Sequence, residues 1–91
     1  MSQADFEKAV DEVKILKVRP CRSELNHVYG LYKQSTVGDV PFERPGIFDF
    51  AGRVKWDAWI VKKGMTKEEA TQAYIDLVEE LKEKYGLDEV E

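Results

Sequence analysis

Thr66-Lys67-Glu68-Glu69-Ala70-Thr71-Gln72-Ala73-Tyr74-Ile75-Asp76-Leu77-Val78-Glu79-Glu80-Leu81-Lys82-Glu83-Lys84-Tyr85-Gly86 decides the fold. Thr66 and Glu69 stand three apart, so each side chain can satisfy an orphan amide at a helix start. Ala70, Ala73, Tyr74, Leu77, Val78, Leu81 and Tyr85 then recur at three and four residues, the period of one helix face. Gly86 supplies the residue type that closes helices. Glu79, Glu80 and Glu83 interleave with Lys82 and Lys84 on the other side, which is a solvated face.

The same period recurs upstream. Phe6, Ala9, Val10, Val13 and Leu16 form a stripe that predicts a helix over about residues 4–16, with Lys14 and Lys17 near its end. Pro20 bars any extension through the residue before it. Leu25, Val28, Tyr29 and Tyr32 predict a second helix over about 22–36, stopped before Gly38. A third begins near Asp49 or Gly52 and runs to Lys62, with Val54, Ala58 and Val61 on one apolar face and Trp56, Trp59 and Ile60 flanking it. Gly64 ends it. Residues 37–50 have no period, and Pro41 and Pro45 exclude helix there. Val40, Phe42, Ile47, Phe48 and Phe50 suggest that this long loop packs down. No strand alternation and no repeat occurs. The expected fold is all-α, with four helices and a long second connection that need not join antiparallel neighbours.

The chain has 91 residues, 18 acidic and 14 basic side chains and a net charge of −4. That balance argues against a general nucleic-acid binder. A single cysteine, Cys21, excludes an internal disulfide. The expected compartment is the cytosol: the start lacks a basic and apolar leader, Ser2 stands where myristoylation needs glycine, and no apolar run approaches a membrane span. The tail 87–91 is acidic and expected to fray.

Catalytic patterns are missing. His27 is the one histidine and has the character of a surface residue. Cys21 has no histidine near it in sequence, and no metal-ligand spacing or phosphate-binding glycine loop is present. The conspicuous pattern pairs rings with ammoniums. Tyr29 and Lys33 share one helix face, Tyr32 adjoins them, Lys55 sits beside Trp56 with Arg53 nearby, and Tyr74 edges the last stripe. Phenols and ammoniums suit an anionic ligand with an aromatic ring. The plainer alternative makes the tyrosines core residues and the lysines solubilising ones; periodicity alone leaves both open.

The strings Tyr32-Lys33-Gln34-Ser35-Thr36-Val37-Gly38-Asp39, Glu43-Arg44-Pro45-Gly46, Lys55-Trp56-Asp57-Ala58-Trp59, Ala73-Tyr74-Ile75 and Val78-Glu79-Glu80-Leu81 closely resemble the acyl-CoA-binding protein family, also called diazepam-binding inhibitor. The resemblance runs from Phe6-Glu7-Lys8-Ala9 to Lys84-Tyr85-Gly86. It implies a single acyl-CoA-binding domain over 1–91, folded as an up-down-down-up four-helix bundle. It also implies binding of medium- to long-chain acyl-CoA thioesters by a non-catalytic carrier without cofactor. Tyr29, Lys33 and Lys55 are implied to hold the adenine and 3′-phosphate. Lys14 and Tyr74 match two further contact positions, and residues 29–33, hence Gly30, Leu31 and Tyr32 as well, are implied to form a continuous contact segment. Asn26 and His27 depart from the family's hydrophobic residues beside the acyl groove, Ala51 replaces a basic residue, and Cys21-Arg22 replaces a more acidic turn. Both tryptophans are expected at the core or its boundary. A monomer is expected, with transient contacts to membranes or acyl-CoA-using enzymes and none to nucleic acid. The alternative is a secreted or receptor-directed signalling polypeptide precursor.

Overall fold

The computed structural model describes residues 3–88. Four helices follow in order: α1 (Gln3–Val13), α2 (Arg22–Thr36), α3 (Phe50–Ile60) and α4 (Lys67–Tyr85). α4 starts on the expected capping box: Glu69 N–H donates to Thr66 Oγ1 (3.0 Å), and Thr66 N–H donates to Glu69 Oε1 (2.9 Å). Gly86 closes it at φ 74°, and Gly38 and Gly64 follow α2 and α3 at φ 98° and 97°. Cys21 caps α2, its N–H donating to Glu24 Oε1 (2.9 Å). Asp49 caps α3 by accepting from Gly52 N–H (2.9 Å).

Side-chain pairings fix the directions. Phe6 meets Tyr74 and Glu12 meets Lys82, so α1 and α4 run parallel. Glu24 meets Lys84 and Tyr32 meets Tyr74, so α2 opposes α4. Tyr29 meets Lys55 and Lys33 meets Trp59, so α2 and α3 advance together. The topology is up-down-down-up. α2 is the hub, packed on both α3 and α4, with α1 completing the other side of α4.

Phe6, Ala9, Leu31, Tyr74 and Val78 form the central cluster, joining α1, α2 and α4. Phe6 stacks on Tyr32 and tilts against Tyr74, so one aromatic triad joins these three helices. Gln34 is the buried polar residue of this interior. Its Nε2 donates to Asp39 Oδ1 (2.8 Å) and Met65 O (2.9 Å), and Asp39 also accepts from Gly64 N–H (2.9 Å). One buried amide thereby locks the end of α2, the start of the long loop and the α3–α4 turn together.

Four expectations need correction. α1 stops at Val13 rather than near 16, and tighter i→i−3 bonds follow at Lys14 and Ile15. Leu16 continued the stripe in sequence, but in space it forms an isolated bridge with Leu87. The same pairing corrects the frayed tail for residues 87 and 88: Lys17 N–H donates to Gly86 O (2.9 Å) and Asp88 N–H to Ile15 O (2.8 Å). Residues 89–91 lie outside the described residues. On α3 Trp59 is buried, as expected of a core or boundary tryptophan, but Val54 and Val61 are exposed rather than inward, because α2 crosses α3 on the Ala58–Trp59 side. Finally, the long loop is held by polar anchors more than by its apolar side chains. Trp59 Nε1–H donates to Gly38 O (2.8 Å) and Trp56 Nε1–H to Phe42 O (2.9 Å). Arg44 grips Asp57 bidentately, and Arg53 Nε–H donates to Pro45 O (3.0 Å). Phe42 does meet the Trp59 ring edge, but Ile47, Phe48 and Phe50 face outward.

Candidate ligand-binding site

Gly30 creates the site by letting two helices touch. A Cβ there would stand 2.2 Å from Ala58 O, so only glycine permits this approach of α2 to α3. Close contact at that crossing aligns the faces on either side of it. Tyr29 and Lys33 are four apart on α2, and Lys55 and Trp59 are four apart on α3. Lys55 Nζ lies 6.0 Å from the Tyr29 ring centroid, and Lys33 Nζ lies 5.1 Å from the Trp59 centroid. The result is a two-rung ladder of ring and ammonium, its rungs about 6 Å apart by helix rise.

A groove of about 700 Å³ opens beside the Tyr29–Lys55 rung. Pro20, Leu25, Phe50, Ala51 and Val54 give it apolar walls, and Arg19, Arg22 and Asn26 border it. Volumes of this order hold drug-sized ligands. Among the described residues neither Lys14, Lys33 nor Lys55 pairs with a carboxylate, while Arg44, Lys82 and Lys84 do. The two ladder ammoniums are therefore unspent by internal salt bridges. Burial raises the Tyr29 phenol above its usual range, keeping it neutral as a ring surface and a hydrogen-bond donor.

The expected site residues divide by location. Tyr29, Lys33 and Lys55 come together on the ladder. Tyr32 is half-exposed at the edge of the aromatic triad, and Tyr74 is buried within it, its phenol pushed up to about 12 by burial and by Tyr32. Lys14 is exposed in the turn after α1. Residues 29–33 do not share one surface. Gly30 is used at the helix crossing and Leu31 is in the core, because consecutive helical residues point in directions 100° apart. Asn26 borders the groove, and His27 lies just beyond it, where its Nδ1 meets Lys62 Nζ at 2.7 Å. Burial first, and the Lys62 charge second, hold the His27 imidazole below its usual range, so it is neutral at neutral pH.

Sequence reasoning missed Arg19, Phe50 and Val54 as groove residues and Trp59 as the partner of Lys33. The i, i+4 spacing of Lys55 and Trp59 matches that of Tyr29 and Lys33 and was the available signal for the latter.

Fold and site together define a small helical ligand-binding protein. The family model described as Acyl CoA binding protein matches residues 3–78, and the chain belongs to that family. Three solved relatives agree. The crystal structure of Oryza sativa Acyl-CoA-Binding Protein 2 is 44% identical, covers 90% of this chain and 91% of its own, and superposes with a TM-score of 0.86. The crystal structure of ACBP from Moniliophthora perniciosa is 43% identical over 92% of this chain and 83% of its own, with a TM-score of 0.83. The solution structure of the acyl coenzyme A binding protein from yeast is 45% identical over 94% and 99%, with a TM-score of 0.70.

Proposed function

We propose that this chain, as a single domain, binds thioesters of coenzyme A with medium- to long-chain fatty acids, and that it carries and buffers them unchanged in the cytosol as a monomer. The observation that carries the reading is the ring–ammonium ladder bordering an apolar groove. A nucleotide needs a ring surface and a cation for its 3′-phosphate, and an acyl chain needs apolar walls. Lys33 and Lys55 approach the phosphate as point charges, with Tyr29 against the adenine. Lys14, Tyr32 and Tyr74 belong to the same reading as further contact positions, Lys14 and Tyr32 at the surface and Tyr74 from within the aromatic triad, with Gly30 and Leu31 shaping the helix beneath.

Magnitudes assign the roles. At ~0.8 kcal/mol per buried methylene, a chain of about fourteen contributes at most roughly 11 kcal/mol. Each partly exposed lysine–phosphate contact contributes about 1–2 kcal/mol. The chain thus supplies affinity and the head group supplies discrimination against free fatty acid. The nucleotide folds over the thioester end and keeps water from it. Rings and ammoniums of this kind bind a thioester; they are neither nucleophile nor general base for cleaving one.

Lys33→Ala removes one phosphate contact from the surface of a helix whose core face is untouched. Titration calorimetry is expected to show about 5- to 30-fold weaker binding of both palmitoyl-CoA and coenzyme A, with an unchanged thermal midpoint. Equal affinity would remove Lys33 from the site.

A further inference from the structure

We propose that the groove continues into a second cavity between α2 and α3 whose cationic end takes a carboxylate at the far end of the acyl chain, so that the protein also binds coenzyme A thioesters of dicarboxylic fatty acids. The inference rests on the acyl-CoA reading of the groove and extends it to the end of the chain remote from the nucleotide.

The second cavity has a volume of about 260 Å³ and is lined by Ser23, Asn26, His27, Ala58, Val61 and Lys62. Asn26 borders both spaces, so they adjoin on the α2 side. They also follow one another on the α3 side. Val54 lines the groove, and Ala58 and Val61, four and seven residues further on, line the second cavity. Residues at that spacing share one helix face. Val54 to Val61 spans about 10 Å along it. Helix packing leaves much of this face uncovered: Val54 is 43% and Val61 is 72% exposed. An apolar track thus leads out of the groove, and methylenes laid along it leave water.

The track ends on charge. Lys62 Nζ lies 2.7 Å from His27 Nδ1. His27 is neutral, so its ring nitrogen accepts from the ammonium without balancing it. Lys62 forms no ion pair among the described residues, and no carboxylate lines the cavity. Glu80 on α4 acts on His27, less than Lys62 does, and makes no ion pair with Lys62. The Lys62 stem passes beside the helix crossing, its Cγ 3.3 Å from where a Gly30 Cβ would stand. An ammonium without a counter-ion therefore closes an apolar path, with an imidazole and the Ser23 hydroxyl beside it. A methyl end placed there gains nothing from the ammonium. A terminal carboxylate forms a charge-assisted pair with it.

The test is titration calorimetry of the full chain with palmitoyl-CoA and with hexadecanedioyl-CoA, joined to coenzyme A at one end only. The wild type is expected to bind the two within about fivefold of each other. Lys62→Met keeps an unbranched stem and removes the charge. It is expected to shift the ratio of the two affinities by about fivefold or more against the diacid. The ratio is taken within one variant, so it is independent of any change in stability. His27 is the chain's single histidine, and its imidazole resonances read the far end directly. Its titration midpoint is expected at higher pH in the hexadecanedioyl-CoA complex than in the palmitoyl-CoA complex, because a nearby carboxylate favours the imidazolium. Wild-type discrimination against the diacid beyond fivefold overturns the proposal, and so does a smaller shift of the ratio in Lys62→Met. Equal His27 midpoints in the two complexes also overturn it, assigning the carboxylate to solvent or to Arg19 and Arg22. Failure of the wild type to bind palmitoyl-CoA overturns the acyl-CoA reading and this proposal with it, whereas retention of palmitoyl-CoA with rejection of the diacid overturns this proposal alone.

Discussion

At the scale of single residues, Gly30 has the largest consequence for the site. It sits mid-helix, where glycine costs about 1 kcal/mol relative to alanine, yet its missing Cβ leaves room for Ala58 O. Gly30→Ala improves helix propensity and still destabilises, because the 2.2 Å contact with a backbone oxygen must be relieved by parting α2 from α3. Urea denaturation is expected to show a net loss of about 1–3 kcal/mol, with palmitoyl-CoA affinity reduced as the ladder opens. An unchanged or raised midpoint would show that the crossing is looser than described. None of this was legible in sequence, where Gly30 is one letter inside a helical stripe. Tyr29 and Lys33 were legible because i, i+4 spacing guarantees a shared face. The burial of Tyr74 was half legible: its stripe position indicated core, and the resemblance indicated ligand contact.

Among the elements, α2 and α4 were readable to within a residue, since Thr66, Glu69, Gly38 and Gly86 are stop and start signals with a local mechanism. α1 and α3 were read less well for a tertiary reason. Leu16 is apolar because it meets Leu87, and Val54 because it lines a groove, so period alone misassigned both. The outward rings of the long loop were equally hidden, as loop exposure depends on what the loop lies against. Between elements, Glu24 at the start of α2 clamps the end of α4. Its carboxylate accepts from Tyr85 O–H, Lys84 Nζ and Cys21 N–H, and these donors, Tyr85 foremost, pull its pKa from 4.5 to about 2. A carboxyl depressed in the folded state stabilises the protein above its ordinary pKa and loses that contribution as pH falls from there through about 2. Urea midpoints are expected to fall between about pH 5 and pH 2, and Glu24→Gln is expected to flatten part of that fall. Asp39, Asp57 and Glu69, also held low by hydrogen bonds, account for the remainder. An identical pH slope in the variant would mean that the clamp does not persist in solution.

For the whole molecule, small size and net charge −4 suggest neither a deep cavity nor an anion site. The topology resolves this. Setting α2 and α3 parallel across a glycine crossing gives an open groove on the surface, and spacing four apart on both helices concentrates Lys33 and Lys55 in an otherwise acidic protein. The central claim is that chain and nucleotide are held by one site. Titration calorimetry of the wild type with palmitoyl-CoA, coenzyme A and palmitate tests it most directly. Palmitoyl-CoA is expected to bind with 1:1 stoichiometry and at least about 100-fold more tightly than either part alone, since the parts forgo the roughly 11 kcal/mol ceiling of the chain or the contacts of the head group. Palmitate binding as tightly as palmitoyl-CoA, or no binding of palmitoyl-CoA at all, would contradict the account.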